Sequence, residues 1–246
     1  IWPIMAGKIA HRGSMLKIAY SPIYKYKLPK NHRFPMAKYE LIPEQLLYEG
    51  TVNSSNFFHP KPLDEATILL THEATYWEKL KSLSLSQKEI RAIGFPLSEN
   101  LVVRGTHISQ GTIDCAKFAL QYGIAMNVAG GTHHSFTFKG EGFCLLNDIA
   151  IAANYLLREN LAKKILIVDL DVHQGNGTAQ IFKDQPQVFT FSIHGARNYP
   201  TRKEPSDLDI GLPDKTTDEP YLKILFETLP MLIDEVEPYF IFYLSG

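Results

Sequence analysis

The stretch LIVDLDVHQG, Leu166–Gly175, begins as an apolar run and ends with Asp169, Asp171 and His173 at alternate positions. The run Ile165–Leu170 reads as a β-strand covered on both faces, because a series of branched apolar residues offers no polar side to water. Strands send alternate side chains to one face, so an extended chain here points Asp169, Asp171 and His173 the same way, with Leu170 and Val172 opposite. A carboxylate and an imidazole so placed supply oxygen and nitrogen ligands suited to zinc, iron or manganese. Neighbouring carboxylates also need a cation or donors to offset their repulsion. The bland alternative, an aspartate capping the next helix beside a satisfied histidine, explains a lone acidic residue better than this cluster.

Outward from this strand the pattern repeats. Apolar runs at Ile124–Val128, Val188–Ile193 and Phe240–Leu244 predict further buried strands. The segments between them predict helices over Gln110–Tyr122, Leu145–Arg158, Gly177–Lys183 and Glu219–Val236, the last bent or interrupted at Pro230. Earlier, LKIAYS reads as a strand, HRFPMAKYELIPEQL as a loop entering a helix, and ATILLTHEATYWEKL as a short strand followed by a helix. Strand-helix alternation of this kind implies an α/β fold, a three-layer α-β-α sandwich with a mainly parallel sheet. No linker, repeat or low-complexity tract divides residues 15–246, which read as a single domain; residues 1–14 end in Gly-Ser before Met15 and read as a cloning-derived segment.

Composition narrows the function. A chain of 246 residues that is 45% hydrophobic can bury a sizeable core, and a net charge of -1 gives no basic field for direct nucleic-acid binding. No apolar run is long enough to span a membrane and no signal peptide is visible. The cysteines, Cys115 and Cys144, form neither a disulfide framework nor a CxxC site, which fits a reducing cytoplasm, or the nucleus in a eukaryote.

In α/β folds ligands gather beyond the carboxyl ends of the strands. AMNVAGGTHHSF places His133 and His134 just past one strand, after a Gly130-Gly131 pair that permits a tight turn. An HH pair alone is more often a solvated loop. Across from D-x-D-x-H it suggests metal-assisted hydrolysis, in which a metal polarises a carbonyl and a water while the histidines move protons. GNG at Gly175–Gly177 lacks the rest of a phosphate loop or a GxGxxG. YKYKLPK reads as a solvated basic patch, and His72, His107 and His194 as structural.

GGTHHSFTFKGEGFCLLND followed by ILIVDLDVHQGNGTAQIF closely resembles the zinc-dependent histone deacetylase family, with HQGNG nearest its class IV branch; the likeness runs from about Ile18 to the chain end. The resemblance implies an arginase/deacetylase-type fold with an eight-stranded parallel sheet, and hydrolysis of N-acyl-lysine. It assigns Asp171 and His173 as two of three zinc (or Fe2+) ligands, His133 and His134 as tandem catalytic histidines, and Asp169 as the carboxylate orienting the first. Asn176 would orient the second with a weaker dipole than an aspartate, implying a less basic His134 that acts as general base beside an electrostatic or acid-like His133. Gly142, Phe143 and Tyr199 would line an acyl-lysine tunnel, with Arg33 toward its floor; without the family match Phe143 and Tyr199 read as ordinary core, and Cys144 as packing. A structural K+ would sit on Asp169, Asp171, His173, Ser192 and the Ile193 carbonyl.

The family's third zinc ligand and catalytic tyrosine belong beyond Gly246, which predicts that these residues are part of a longer deacetylase. The implied partners are acetylated or acylated protein, or a polyamine. Alternatives are a small-molecule amidohydrolase such as an acetylpolyamine deacetylase, an arginase-type two-manganese enzyme, disfavoured because it would want D-A-H-x-D, and a non-catalytic acyl-lysine-binding module.

Overall fold

A computed structural model describes residues 15–246; the segment 1–14, read above as cloning-derived, lies outside the described residues. In chain order the elements are β1 (Lys17–Ala19), α1 (Lys38–Tyr48), β2 (Phe57–Phe58), α2 (Glu65–Ile68), α3 (Ala74–Lys81), α4 (Gln87–Ile93), α5 (Glu99–Tyr122), β3 (Ala125–Asn127), α6 (Asp148–Arg158) and β4 (Ile165–Asp169). They continue with α7 (Asn176–Phe182), β5 (Val188–Gly195), β6 (Leu208–Leu212), α8 (Asp218–Val236) and β7 (Phe240–Leu244).

Among the described residues every strand pairing is parallel, in the orders β2-β1-β3 and β6-β5-β4-β7. The architecture is the expected three-layer α/β sandwich, although its described strands form a three- and a four-stranded sheet and not one sheet of eight. The central strand β4 shows why the apolar run of the sequence is continuous. Ile165 and Ile167 enter the large core with α5 and α6, while Leu166 and Val168 enter a second core with Phe191, Ile193 and the α8 residues Leu232 and Val236. Both faces are dry, so neither parity can be polar until the strand ends. Ile165 and Leu166 are fully buried, and burying such a side chain contributes about 1.5–3 kcal/mol.

The structure departs from expectation where polar and apolar cues compete. ATILL is not a strand: Asp64 accepts a hydrogen bond from the Thr67 N–H at 2.9 Å and caps α2 instead. The helix expected from Gln110 begins at Glu99, where Ser98 caps the Leu101 N–H, and buried Gly105 and Gly111 lie inside it. Pro230 interrupts nothing, since α8 runs on to Val236. Strand β6, absent from the sequence reading, is a half-exposed strand against β5.

Candidate active site

β4 ends at Asp169, and the chain then bends through residues 171–173. This corrects the extended-strand reading, because alternation on a pleat does not gather Asp171 and His173. Side-chain oxygens do: Asp169 Oδ1 accepts from the Asp171 N–H at 3.1 Å, and Asp171 Oδ1 from the His173 N–H at 2.7 Å. Aspartates bond backbone two residues on in this manner, turning the chain without a ladder. His173 Nδ1 then lies 3.0 Å from Asp171 Oδ1.

The histidine loop after β3 is held from beneath by Asp148, a fully buried residue at the start of α6. Its carboxylate accepts from the backbone N–H groups of Gly131 (3.1 Å) and Thr132 (2.7 Å) and from the hydroxyls of Thr112 and Thr132. Next to it, Asn147 caps α6 and donates to Ser135 O and Thr178 Oγ1, both at 3.0 Å. The loop thus presents His133 and His134 side by side, ring centroids 4.1 Å apart and both buried.

Their partners differ. His133 Nδ1 meets Asp169 Oδ2 at 2.6 Å, while His134 Nδ1 meets Asn176 Oδ1 at 2.8 Å. Burial opposes charge on His133, but the Asp169 carboxylate, by its charge and hydrogen bond and with help from Asp171 and Asp148, outweighs it and raises the imidazole pKa. His134 is held well below its ordinary value, first by burial, then by the charge of His133, with the Asn176 bond acting the other way. Desolvation, and then the charge that His133 carries when protonated, work against a proton on His134, and the Asn176 hydrogen bond offsets them only in part.

Tyr199 stands edge-on over His134, centroids 4.9 Å apart, and 6.1 Å from His173. Gly142 packs against both: a Cβ there would fall 2.6 Å from His134 Cδ2 and 3.1 Å from Tyr199 Cε1, and its φ of +56° favours glycine. Phe143 turns away into an aromatic group with His32, Phe34 and Phe95, with the Arg33 guanidinium 5.0 Å over its ring. Cys144 is buried, and burial pushes its thiol pKa up, as suits a packing residue. Ser192 pairs in register with Asp169 across the sheet, but its hydroxyl bonds His194 Nδ1 at 2.9 Å, and Ile193 sits in the second core.

Among the described residues no group of three or more His, Cys, Asp or Glu side chains is arranged to hold a metal. Asp171 and His173, adjacent and partly exposed, fit in donor chemistry two positions of a zinc or iron site. Sequence reasoning missed Asn147, Asp148 and Glu141. The first two carried a signal, an Asn-Asp pair directly before an apolar helix. Glu141, whose Oε1 accepts from Asn176 Nδ2 at 2.7 Å and from the Tyr199 hydroxyl at 3.1 Å, carried none.

The histone deacetylase domain matches residues 32–246. The chain belongs to the histone deacetylase domain family. Among relatives, an uncharacterized protein of Picosynechococcus sp. is 45% identical over 229 residues, covering 93% of this chain and 76% of that protein. Histone deacetylase 2 of Arabidopsis thaliana is 26% identical, covering 95% of this chain and 63% of its own length. The acetoin utilization protein AcuC of Staphylococcus aureus is 26% identical, with 96% and 66% covered. This histone deacetylase domain therefore spans about two thirds of the length of the latter two. A crystal structure of an HDAC homolog complexed with SAHA superposes with a TM-score of 0.80 at 25% identity, covering 93% of this chain and 67% of that one. An HDAC homolog from Aquifex aeolicus, at 23% identity and a TM-score of 0.80, shares the fold.

Proposed function

We propose that this histone deacetylase domain hydrolyses N-acyl-lysine, with His133 and His134 as its acid and base. Membership of the family supports deacetylase-type hydrolysis. The observation that carries the assignment is the unequal pair: adjacent imidazoles, one on a carboxylate and one on an amide, driven toward opposite protonation states. Environments that push neighbouring titratable groups apart mark an acid and a base.

Asp171 and His173 would hold a divalent metal, zinc or else Fe2+, which when bound supplies Lewis-acid polarisation of the amide carbonyl and of water. This chain's residues do the rest. His134 donates Nδ1–H to Asn176 and keeps its Nε2 lone pair to take a proton from the attacking water. His133, held protonated by Asp169, offsets negative charge developing on the carbonyl oxygen and protonates the leaving lysine amine as the C–N bond breaks. Gly142 leaves room beside His134, and the Tyr199 ring gives an apolar flank for the lysine stem, with Phe143 next along the Glu141–Cys144 turn. The HQGNG motif supports a class IV-like member, and cross-strand Asp169 and Ser192 support a K+ site nearby.

The test is hydrolysis of an N-acetyl-lysine peptide and of an acetylated polyamine by the zinc-supplemented protein, with free acetate quantified. Acetate from the peptide in preference to the polyamine is expected. Release from neither would overturn the assignment, and release from the polyamine alone would replace it with the small-molecule reading.

A further inference from the structure

An asparagine is an ambiguous partner for a histidine. Its side chain presents a carbonyl that only accepts or an amide that only donates, and a half-turn exchanges them. The site must therefore contain something that decides which end of Asn176 faces His134. An aspartate at the same place would need no such help, since either oxygen accepts.

We propose that Glu141 is a positioning residue that fixes the sense of Asn176 and so the tautomer of His134. For its catalytic consequence this rests on the deacetylase reading above; for its geometry it does not. Glu141 Oε1 lies 2.7 Å from Asn176 Nδ2. A carboxylate oxygen accepts only, so the amide must face Glu141; the reverse orientation would set two oxygens against each other with no proton between them. The carbonyl is then left for His134, 2.8 Å away, and because a carbonyl also only accepts, His134 Nδ1 must carry the proton. The lone pair is forced onto Nε2.

Three further features hold Glu141 to this task. Lys139 Nζ bonds its other oxygen, Oε2, at 2.6 Å, so the pair keeps the carboxylate aimed. The backbone turn Glu141–Cys144 is closed by the Cys144 N–H on Glu141 O at 2.9 Å, with positive φ at both Gly142 and Phe143. Two such residues in succession are the signature of a tight reversed turn. That turn lays Gly142 against the His134 ring and lets Glu141 reach Asn176 from behind. Finally, the Tyr199 hydroxyl donates to the same Oε1 at 3.1 Å, so the oxygen that sets the base also fixes the apolar flank of the site.

The experiment combines tautomer and rate. Long-range 1H–15N correlation on 15N-histidine-labelled protein near neutral pH reads which ring nitrogen of His134 is protonated, the signals being assigned by their loss in His134→Gln. Wild type should show Nδ1–H with a bare Nε2. Glu141→Ala should lose that uniform state, with protonated Nε2 appearing, and should lower kcat on an acetyl-lysine peptide by about 10- to 100-fold, the usual scale for groups that orient a catalytic histidine. Glu141→Gln has one carbonyl for two donors, Lys139 and Asn176, and an amide that can turn either end to Asn176, so it should show a mixture of both tautomers. Tyr199→Phe should keep that tautomer and raise KM, separating the flank from the base. A wild-type tautomer in folded Glu141→Ala, verified by an unchanged unfolding midpoint, overturns the proposal whatever the rate. A changed tautomer in a protein whose wild type hydrolyses no acyl-lysine supports it and overturns the deacetylase reading instead.

Discussion

Replacing Asp148 with alanine strips the histidine loop of its anchor, and the cost follows from the bonds lost. The Gly131 and Thr132 N–H groups, 3.1 and 2.7 Å from the carboxylate, would lose a fully buried acceptor, while their own residues are only partly buried. An orphaned buried donor costs about 1–3 kcal/mol. The Thr112 and Thr132 hydroxyls can rotate, and Thr112 already lies 3.4 Å from Ile108 O, so they add little. Relief of a buried charge offsets part of the sum. The expected loss is roughly 3 kcal/mol. Asp148→Asn keeps a carbonyl for the two backbone donors and can turn its amide toward a threonine oxygen, so about 1–2 kcal/mol is expected there. Urea titration at constant m measures both. An Asp148→Ala loss below about 0.5 kcal/mol, the range of an ordinary surface change, would refute the anchoring role.

Other predictions concern His72 and Gly177. His72 Nε2 accepts from the Asn147 N–H at 3.0 Å, and burial, offset in part by the backbone of Phe136 and Thr137, lowers its pKa from 6.5 to about 4. The unfolded chain takes the proton first, so this stability is complete above 6.5 and is lost as pH falls toward 4. Over that window wild type should lose roughly 3 kcal/mol more than His72→Gln, which keeps an acceptor without titrating; parallel pH slopes in chemical denaturation would rule this out. Gly177→Ala should favour α7 by about 1 kcal/mol on propensity alone. Its Cβ would instead fall 2.3 Å from Ser135 O, a backbone atom, so we expect a net loss of about 2 kcal/mol and a Tm lower by roughly 4–8 °C. A Tm at or above wild type would show that the loop yields.

What the sequence revealed follows from which interactions are local. β4 was legible to within a residue, because a strand with Ile165 and Ile167 in one core and Leu166 and Val168 in another cannot hide its run; β7 matched in extent but not in burial, since Ile241 and Tyr243 are exposed. β6, alternating between half-buried and exposed with Gly211 inside, gave no such run. α5 was half seen, from Gln110 onward: Ser98 caps its actual start, and Gly105 and the polar residues around it masked the first half of a helix buried on several sides. The structure brings His133, His134, Asp169 and Asn176 together, with His173 close by, and Asx-type turns gather Asp171 and His173 where the sequence reading expects a pleat. Asp148 and Glu141 act on residues 16 to 58 positions away in sequence, through contacts that no spacing rule encodes.

The central claim is that the unequal histidine pair performs the proton transfers of amide hydrolysis. Steady-state kinetics of the zinc-supplied, full-length protein on an N-acetyl-lysine peptide, for wild type, His134→Ala and His133→Ala, tests it most directly. The account predicts turnover by wild type and a fall in kcat of about 10²- to 10⁴-fold for His134→Ala at nearly constant KM, the range a positioned general base contributes. Unaltered turnover in His134→Ala would contradict it.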